Sequence, residues 1–432
     1  MFEVSKPDEK LLQKAVNDGN VVLLLGAGTS ATSLNASGTP VKLGKALAKE
    51  LAELAGFSYE NEDLPDVIQA ITQRVSEVQL HQLFRKEFTH ISPSIELKEL
   101  FRYSWCRLYT WNIDDAIESV RYAEQIRRYY NGLNDKVAIN EGIEYLHIIH
   151  LHGEASKPEH GFIFSPAEYN RRLNDDKHDW YRQAAADYAA HVPVFVGSTL
   201  KEPILSAELD RARPNINASL GTAFLITPDD FTEVQKASYQ SRNIVIIKGT
   251  LADFIEWLGK TIGDGKSPLQ ISEEKNVFTK TVASRISPTR ADISTANSIV
   301  IHTWQDARDK AAADLQGLNR QKVARAFLEG SPPSWKIAAS DIPVWLSATT
   351  ELYKALSGSI DSKDRMFLVY GQSGSGKTTA VLQALLQYIR EHDKTKVYEI
   401  KGDVTSLRSA LELIVRLQND DHAIVYIGDA FI

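Results

Sequence analysis

Residues 366–379 read Met-Phe-Leu-Val-Tyr-Gly-Gln-Ser-Gly-Ser-Gly-Lys-Thr-Thr, a short apolar run leading straight into the pattern GxxxxGK[ST]. No other segment constrains the fold as tightly, because this pattern works in one setting: a strand feeds the loop and a helix leaves it. Gly371, Gly374 and Gly376 let successive backbone N–H groups turn inward onto phosphate oxygens. Lys377 reaches the terminal phosphates, the Thr378 hydroxyl ligates Mg²⁺, and Thr379 opens the following turn. Val381, Leu382, Leu385, Leu386 and Ile389 recur at helical spacing after the loop, so a helix N-terminus adds its dipole to the anion site. The segment predicts a strand over 366–370, a P-loop that binds ATP with Mg²⁺, and a helix from about 380.

Downstream, the pattern predicts a strand over 396–400, a helix over 407–417 and a further strand in the run 423–429. Asp429 ends this last run in the place of the acid that holds Mg²⁺ in P-loop NTPases. The chain stops three residues later. Doubly wound NTPase sheets use several more strands, so the expectation is a truncated NTPase domain that hydrolyses ATP poorly.

Composition narrows the classes. With 432 residues, 43% apolar and 24% charged, the chain has room for two or three ordinary globular domains. Its formal net charge of −7 argues against broad electrostatic capture of nucleic acid or anionic membrane, and the pair Arg127-Arg128 reads as a solvated helix face. A single cysteine, Cys106, leaves no disulfide framework and no cysteine zinc cluster within the chain, so no zinc is expected. The first ten residues lack an apolar signal core, and no run approaches the ~18 apolar residues of a membrane span. The expected compartment is the cytoplasm.

Over residues 1–265, short apolar runs at 21–25, 107–110, 146–151, 192–197, 223–227 and 244–248 alternate with helical stretches. This predicts a doubly wound α/β domain with a mostly parallel sheet. Residues 266–345 read as a mainly helical linker, with a helix over 304–328 and Gly330-Ser-Pro-Pro-Ser as the boundary signal. The P-loop module follows over 346–432.

The first domain carries its own small-residue turn: 21–25 runs into Gly26, Ala27, Gly28, Thr29 and Ser30, at the place where doubly wound sheets hold a diphosphate. Alone it is a weak signal, since small residues there also serve helix packing. It departs from the dehydrogenase fingerprint, with no third glycine at the right spacing and no acid closing a second strand. Three further strand ends carry polar groups: Thr110-Trp-Asn112-Ile-Asp114-Asp115, His150-Leu-His152-Gly153-Glu154 and Gly197-Ser198-Thr199. Asn112 or Asp114 could simply cap a helix. The histidines could be metal ligands, but strand alternation puts His150 and His152 on one face and His147 on the other.

Together the ordered segments GAGTS, TWNIDD, LHG and GST resemble the sirtuin fold, in which such segments surround NAD, over roughly the first 265 residues. The four zinc cysteines of protein-deacylating sirtuins are absent, and 38–43 reads Gly-Thr-Pro-Val-Lys-Leu where those enzymes carry an acidic-aromatic-arginine segment. Followed by a P-loop of STAND type, the chain is similar to the sirtuin-like NAD hydrolases and antiviral STAND proteins of bacterial antiphage defence. The resemblance implies NAD as substrate, Asp114 on the nicotinamide carboxamide, Gly26 to Ser30 on the diphosphate, and Gly197, Ser198 and Thr199 near the adenosine. It also implies homo-oligomerisation and a phage-derived trigger read by a C-terminal sensor.

The chemistry follows from the bond to be broken. The nicotinamide nitrogen of NAD is already cationic, so it leaves neutral without a general acid, while the ribose carbon becomes oxocarbenium-like and must meet water. Asn112 is expected to orient the ribose or the water, and His152 to accept the proton. Two other readings stand beside this one: a module that senses NAD or ADP-ribose without cleaving it, and an ATPase motor with a degenerate first domain.

Overall fold

Five consecutive aliphatic residues, Val21–Leu25, form strand β1, buried along its whole length. A strand apolar on both faces belongs inside a sheet covered on both sides. The computed structural model describes every residue except 1, 3, 140–141, 175–177, 199–201, 213–220, 275–277, 279–281, 283–284, 316–317, 341, 360–365, 373, 393, 402–406, 419–422 and 429–432. It divides into two units, Met1–Ile271 and Ser272–Ile432.

In the first unit, β1 is joined by β2 (Arg107–Thr110), β3 (Ile126–Asn131), β4 (Tyr145–His150), β5 (Val192–Val196), β6 (Ala223–Thr227) and β7 (Ile244–Lys248). They make one seven-stranded sheet in the order β3-β4-β2-β1-β5-β6-β7, and every pairing is parallel. Strand alternation sends successive side chains to opposite cores. Val21, Leu23 and Leu25 join Leu108, Ile148, Val194 and Phe224 beneath the helices Lys6–Asn17, Gly44–Leu54 and Leu251–Thr261. Val22 and Leu24 join Tyr109, Ile149, Phe195 and Leu225 beneath the helices Asp179–Ala190 and Pro203–Ala212. The expected doubly wound α/β domain is the observed one.

One strand escapes the apolar pattern. Arg127 and Arg128 lie on β3, not on a helix, and this edge strand is largely exposed. Charged side chains on an edge discourage pairing with a second sheet. The Arg127 guanidinium donates to the Ile117 carbonyl at 3.1 Å and lies over the rings of Phe101 and Tyr129, so the strand is anchored by Arg127.

The core also holds a charge. Arg107, at the start of β2, pairs inside the sheet with Asp187 of the helix Asp179–Ala190. The Tyr109 hydroxyl donates to the same carboxylate oxygen at 2.7 Å, and Gln183 Nε2 donates to the other at 2.8 Å. Burial opposes the guanidinium's charge, but the adjacent Asp187 carboxylate raises its pKa further above the ordinary arginine value.

In the second unit, β8 (Ile299–His302), β9 (Lys396–Ile400) and β10 (Ala423–Ile427) form a sheet in the order β10-β9-β8. β9 and β10 run parallel, and β8 is antiparallel to β9. The helix Lys377–Glu391 buries Leu382, Leu385, Leu386 and Ile389 against Val397 and Ala338. Three expectations are corrected here. Residues 266–345 are not simply a helical linker, because Ile299–His302 is a strand of this sheet: its His302 ring stacks on Trp335 at 3.9 Å, and both donate to Glu399. The single helix over 304–328 is two, Trp304–Asp314 and Leu318–Leu328, since Leu315 (φ −111, ψ 34) leaves helical geometry. The apolar run 366–370 is not a strand; its side chains are 37% to 89% exposed. A strand exists only by pairing, and among the described residues none pairs with this run.

Among the described residues no helix is long and apolar enough to cross a membrane. Removing one partner of a buried ion pair leaves the other charge uncompensated. Asp187→Ala is therefore expected to lower unfolding free energy by about 3–5 kcal/mol, measured by denaturant unfolding. A loss below about 1 kcal/mol, the range of exposed pairs, contradicts this account of the core.

Candidate functional site

The register lines up four strand ends. Leu25 of β1 lies opposite Thr110 of β2 and Val196 of β5, and Thr110 lies opposite His150 of β4. The residues just beyond these positions, Gly26 to Ser30, Trp111 to Asp115, Leu151 to Glu154 and Gly197 to Ser198, therefore leave the same sheet edge side by side. The sheet grows from β1 through β2, β4 and β3 on one side and through β5, β6 and β7 on the other. Such a reversal opens the crevice where doubly wound folds bind ligands.

Three glycines let two of these loops touch. Gly26 N–H donates to the Val196 carbonyl at 2.9 Å and Gly28 N–H to the Gly197 carbonyl at 3.1 Å. A Cβ on Gly26 would lie 2.4 Å from the Gly197 oxygen, and one on Gly28 would lie 2.8 Å from the Gly197 Cα. Gly197 itself has φ +64, which glycine adopts without penalty. The amides of Gly26 and Gly28 thus bind the neighbouring loop, and those of Thr29 and Ser30 close the turn onto Gly26 and Ala27. Ala27 and Gly28 present the exposed part of the turn.

Behind the glycines sits a buried polar chain. Asn112 Nδ2 donates to Ser30 Oγ at 3.0 Å and to Thr29 Oγ1 at 3.3 Å. Ser30 Oγ donates onward to Asp114 Oδ1 at 3.1 Å, which also accepts Ala116 N–H at 3.1 Å. Thr29 Oγ1 donates to the Gly26 carbonyl at 2.7 Å. The Asn112 amide is thereby fixed in orientation, and its Oδ1 is buried with no partner among the described residues. A buried acceptor left without a donor is costly unless a ligand supplies one. Burial pushes the Asp114 carboxyl up to about 6, outweighing its hydrogen bonds from Ala116 and Ser30. Neither Asn112 nor Asp114 caps a helix.

The histidines divide by role. His147 stacks on Tyr130 at 5.5 Å. His150 Nδ1 donates to the Asn112 carbonyl at 3.0 Å and its Nε2 to Glu118 at 2.7 Å. Burial works against its charge, but the Glu118 carboxylate prevails and holds the ring at a pKa of about 9. His152 stands two residues past β4, at the level of Asn112 past β2. Its Nε2 meets Glu202 Oε2 at 3.1 Å and Tyr169 Oη at 3.3 Å.

The fold thus brings Gly26 to Ser30, Asn112, Asp114, Gly197 and Ser198 to one edge, with His152 alongside; Thr199 lies outside the described residues. The sequence reading missed Glu118, Tyr169 and Glu202 as partners. In the second unit, Gly374 (φ +74) and Gly376 (φ +82) take the left-handed turns of the P-loop, and Gly376 begins the helix Lys377–Glu391 without any side-chain cap. An uncapped helix start approached by turning glycines fits a phosphate group. Lys377 Nζ donates to the carbonyls of Gly371 and Gln372 at 2.7 and 2.6 Å, while Thr378 and Thr379 stand half-buried in the first helical turn. Asp429 lies outside the described residues.

Residues 107–247 match the family model described as SIR2-like domain, and residues 325–431 match that described as Novel STAND NTPase 5. The first match takes in Asn112, Asp114, His152 and Gly197 and begins after the Gly26 turn; the second takes in the whole P-loop and begins earlier than the expected boundary at 346. A search of curated proteins finds no match. A SIR2-like domain implies use of NAD, and a STAND NTPase domain implies nucleotide binding. The chain thus carries a SIR2-like domain match over residues 107–247 and, further along the sequence, a STAND NTPase match over residues 325–431.

Proposed function

We propose that the SIR2-like domain hydrolyses NAD to nicotinamide and ADP-ribose, and that the STAND domain controls it by binding ATP with Mg²⁺ and promoting self-association. The biological role in this reading is antiphage defence by depletion of NAD in the cytoplasm. One observation carries the catalytic part: the Asn112 amide is locked by Ser30 and Thr29 with its buried Oδ1 unpartnered, in the crevice of a sheet whose matched family uses NAD.

In that crevice Asn112 Oδ1 accepts a hydroxyl of the nicotinamide ribose, which supplies the donor the atom lacks. Asp114 holds the carboxamide. Gly26 to Ser30 lie along the diphosphate, while Gly197 and Ser198, with Thr199 following, lie near the adenosine. The bond from ribose carbon to nicotinamide nitrogen breaks with its electron pair leaving on the now neutral ring. Water oxygen bonds to that carbon, and its proton goes to the His152 imidazole. General-base assistance of this kind contributes about 10²–10⁴-fold. At the P-loop, Lys377 and the amides around Gly374 and Gly376 hold the phosphates; Thr378 is the Mg²⁺ ligand, with Asp429 as its partner.

Two tests follow. In Asn112→Ala and His152→Ala proteins, nicotinamide release from NAD, followed chromatographically, is expected to fall at least about 10²-fold; release equal to the parent in both contradicts the assignment. For Asp114, the folded-state value of about 6 lies above the ordinary 3.8, so the folded chain holds this proton more tightly than the unfolded chain. Its contribution is fully present below the ordinary carboxylate range and is lost as pH rises through about 6, for a total of about 3 kcal/mol at 1.36 per unit. Asp114→Asn keeps an oxygen to accept from Ser30 and Ala116 but cannot ionise. Its stability relative to the parent should therefore rise between about pH 4 and pH 8, measured by denaturant unfolding; a constant gap contradicts the buried, raised carboxyl.

A further inference from the structure

Among the described residues of the first unit, three buried histidines pair with glutamates, and the pairs are not alike. His150 uses both ring nitrogens, on Asn112 and Glu118. His178 does the same, with Nδ1 on the Arg172 carbonyl at 3.1 Å and Nε2 on Glu208 at 2.8 Å, while Glu208 also receives Arg211 and Arg182. Such closed pairs are what a structural role requires, since buried polar atoms left unmatched are costly.

The third pair is open. His152 Nε2 meets Glu202 Oε2 at 3.1 Å, and the Tyr169 hydroxyl donates to the same oxygen at 3.3 Å. Among the described residues the hydrogen bonds of the His152 ring fall on Nε2 and not on Nδ1, and Glu202 Oε1 is buried without a partner. Glu202 is 7% exposed. Burial, reinforced by this carboxylate, pushes the hydroxyls of Tyr169 and Tyr181 well above the ordinary tyrosine value, so both remain donors. A carboxylate only accepts. When the His152 ring carries a single hydrogen, this geometry places it on Nε2 and leaves Nδ1 bare.

Resting on the reading of His152 as proton acceptor, we propose that Glu202 is its positioning residue. Glu202 fixes the Nε2–H tautomer, leaves Nδ1 to take the proton from water, and stabilises the imidazolium that results, with Tyr169 holding the carboxylate in place. The logic is that of an acid orienting a catalytic imidazole, assembled here from the segment after β5 and the turn after β4.

The test compares the full chain with its Glu202→Gln variant, which preserves shape and removes the charge. In ¹⁵N-histidine-labelled protein, with the His152 signals assigned by their loss in His152→Ala, the parent is expected to show a protonated Nε2 and a bare Nδ1. Glu202→Gln is expected to show a mixture of tautomers or a protonated Nδ1, together with a fall in kcat of about 10²-fold or more at nearly unchanged KM. A protonated Nδ1 in the parent, an unaltered tautomer in the variant, or an unaltered kcat each overturns the proposal. A parent that releases no nicotinamide sinks the hydrolase reading instead, and the tautomer comparison still decides the link between Glu202 and His152.

Discussion

Leu25 lies opposite both Thr110 and Val196, and the candidate site depends on that register. A slip of one residue in β1 would send Val21, Leu23 and Leu25 into the wrong core, because strand side chains alternate with period two. The same slip would part the Gly26–Gly28 turn from Gly197, whose backbones meet where any Cβ would collide. Hydrophobic patterning thus sets where the polar loops emerge, and the glycines set how closely they approach. The hydrogen bonds from Asn112 to Ser30 and Thr29, and from Ser30 to Asp114, can form only after that placement.

Charge is handled differently in core and crevice. Deep in the first unit, Arg107 and Asp187 are fully matched by Tyr109 and Gln183, as a buried pair must be to be tolerated. At the sheet edge the matching is incomplete. Asn112 Oδ1 and Glu202 Oε1 are buried and unpartnered among the described residues, and Asp114 is an acid held near the middle of the pH range by burial. Groups kept unsatisfied or displaced in pKa cluster where a ligand is bound and transformed.

Much of this was legible beforehand, for identifiable reasons. Strands buried on both faces read as unbroken apolar runs, which is why β1, β5 and β6 stand out. β3 does not, since an edge strand carrying Arg127 and Arg128 lacks the apolar run of the buried strands. The run 366–370 misled in the opposite direction: it has the composition of a strand, but strand structure comes from a neighbour, not from composition. At the site, Asn112, Asp114 and His152 were visible because each sits in a short motif at a strand end. Glu202 was not, because it lies 50 residues from His152 and, three residues past the Gly197-Ser198-Thr199 turn, reads only as part of a polar strand end; only the order of β4 beside β2 and of β5 beside β1 makes them neighbours.

The two domains divide the chemistry. The P-loop offers turning glycines, an uncapped helix start and Lys377 for phosphates, whereas the SIR2-like sheet edge offers an oriented amide, a raised carboxyl and an open His–Glu pair. The proposed function turns on the unpartnered Asn112 oxygen receiving the ribose of NAD. A structure of the chain with a carbocyclic NAD analogue, which keeps the ribose hydroxyls but cannot be hydrolysed, tests it directly. The account predicts a hydroxyl of the nicotinamide-bearing ring within about 3 Å of Asn112 Oδ1, with His152 on the side open to water. An analogue bound elsewhere, or bound in the crevice with Asn112 Oδ1 still unpartnered, would contradict it.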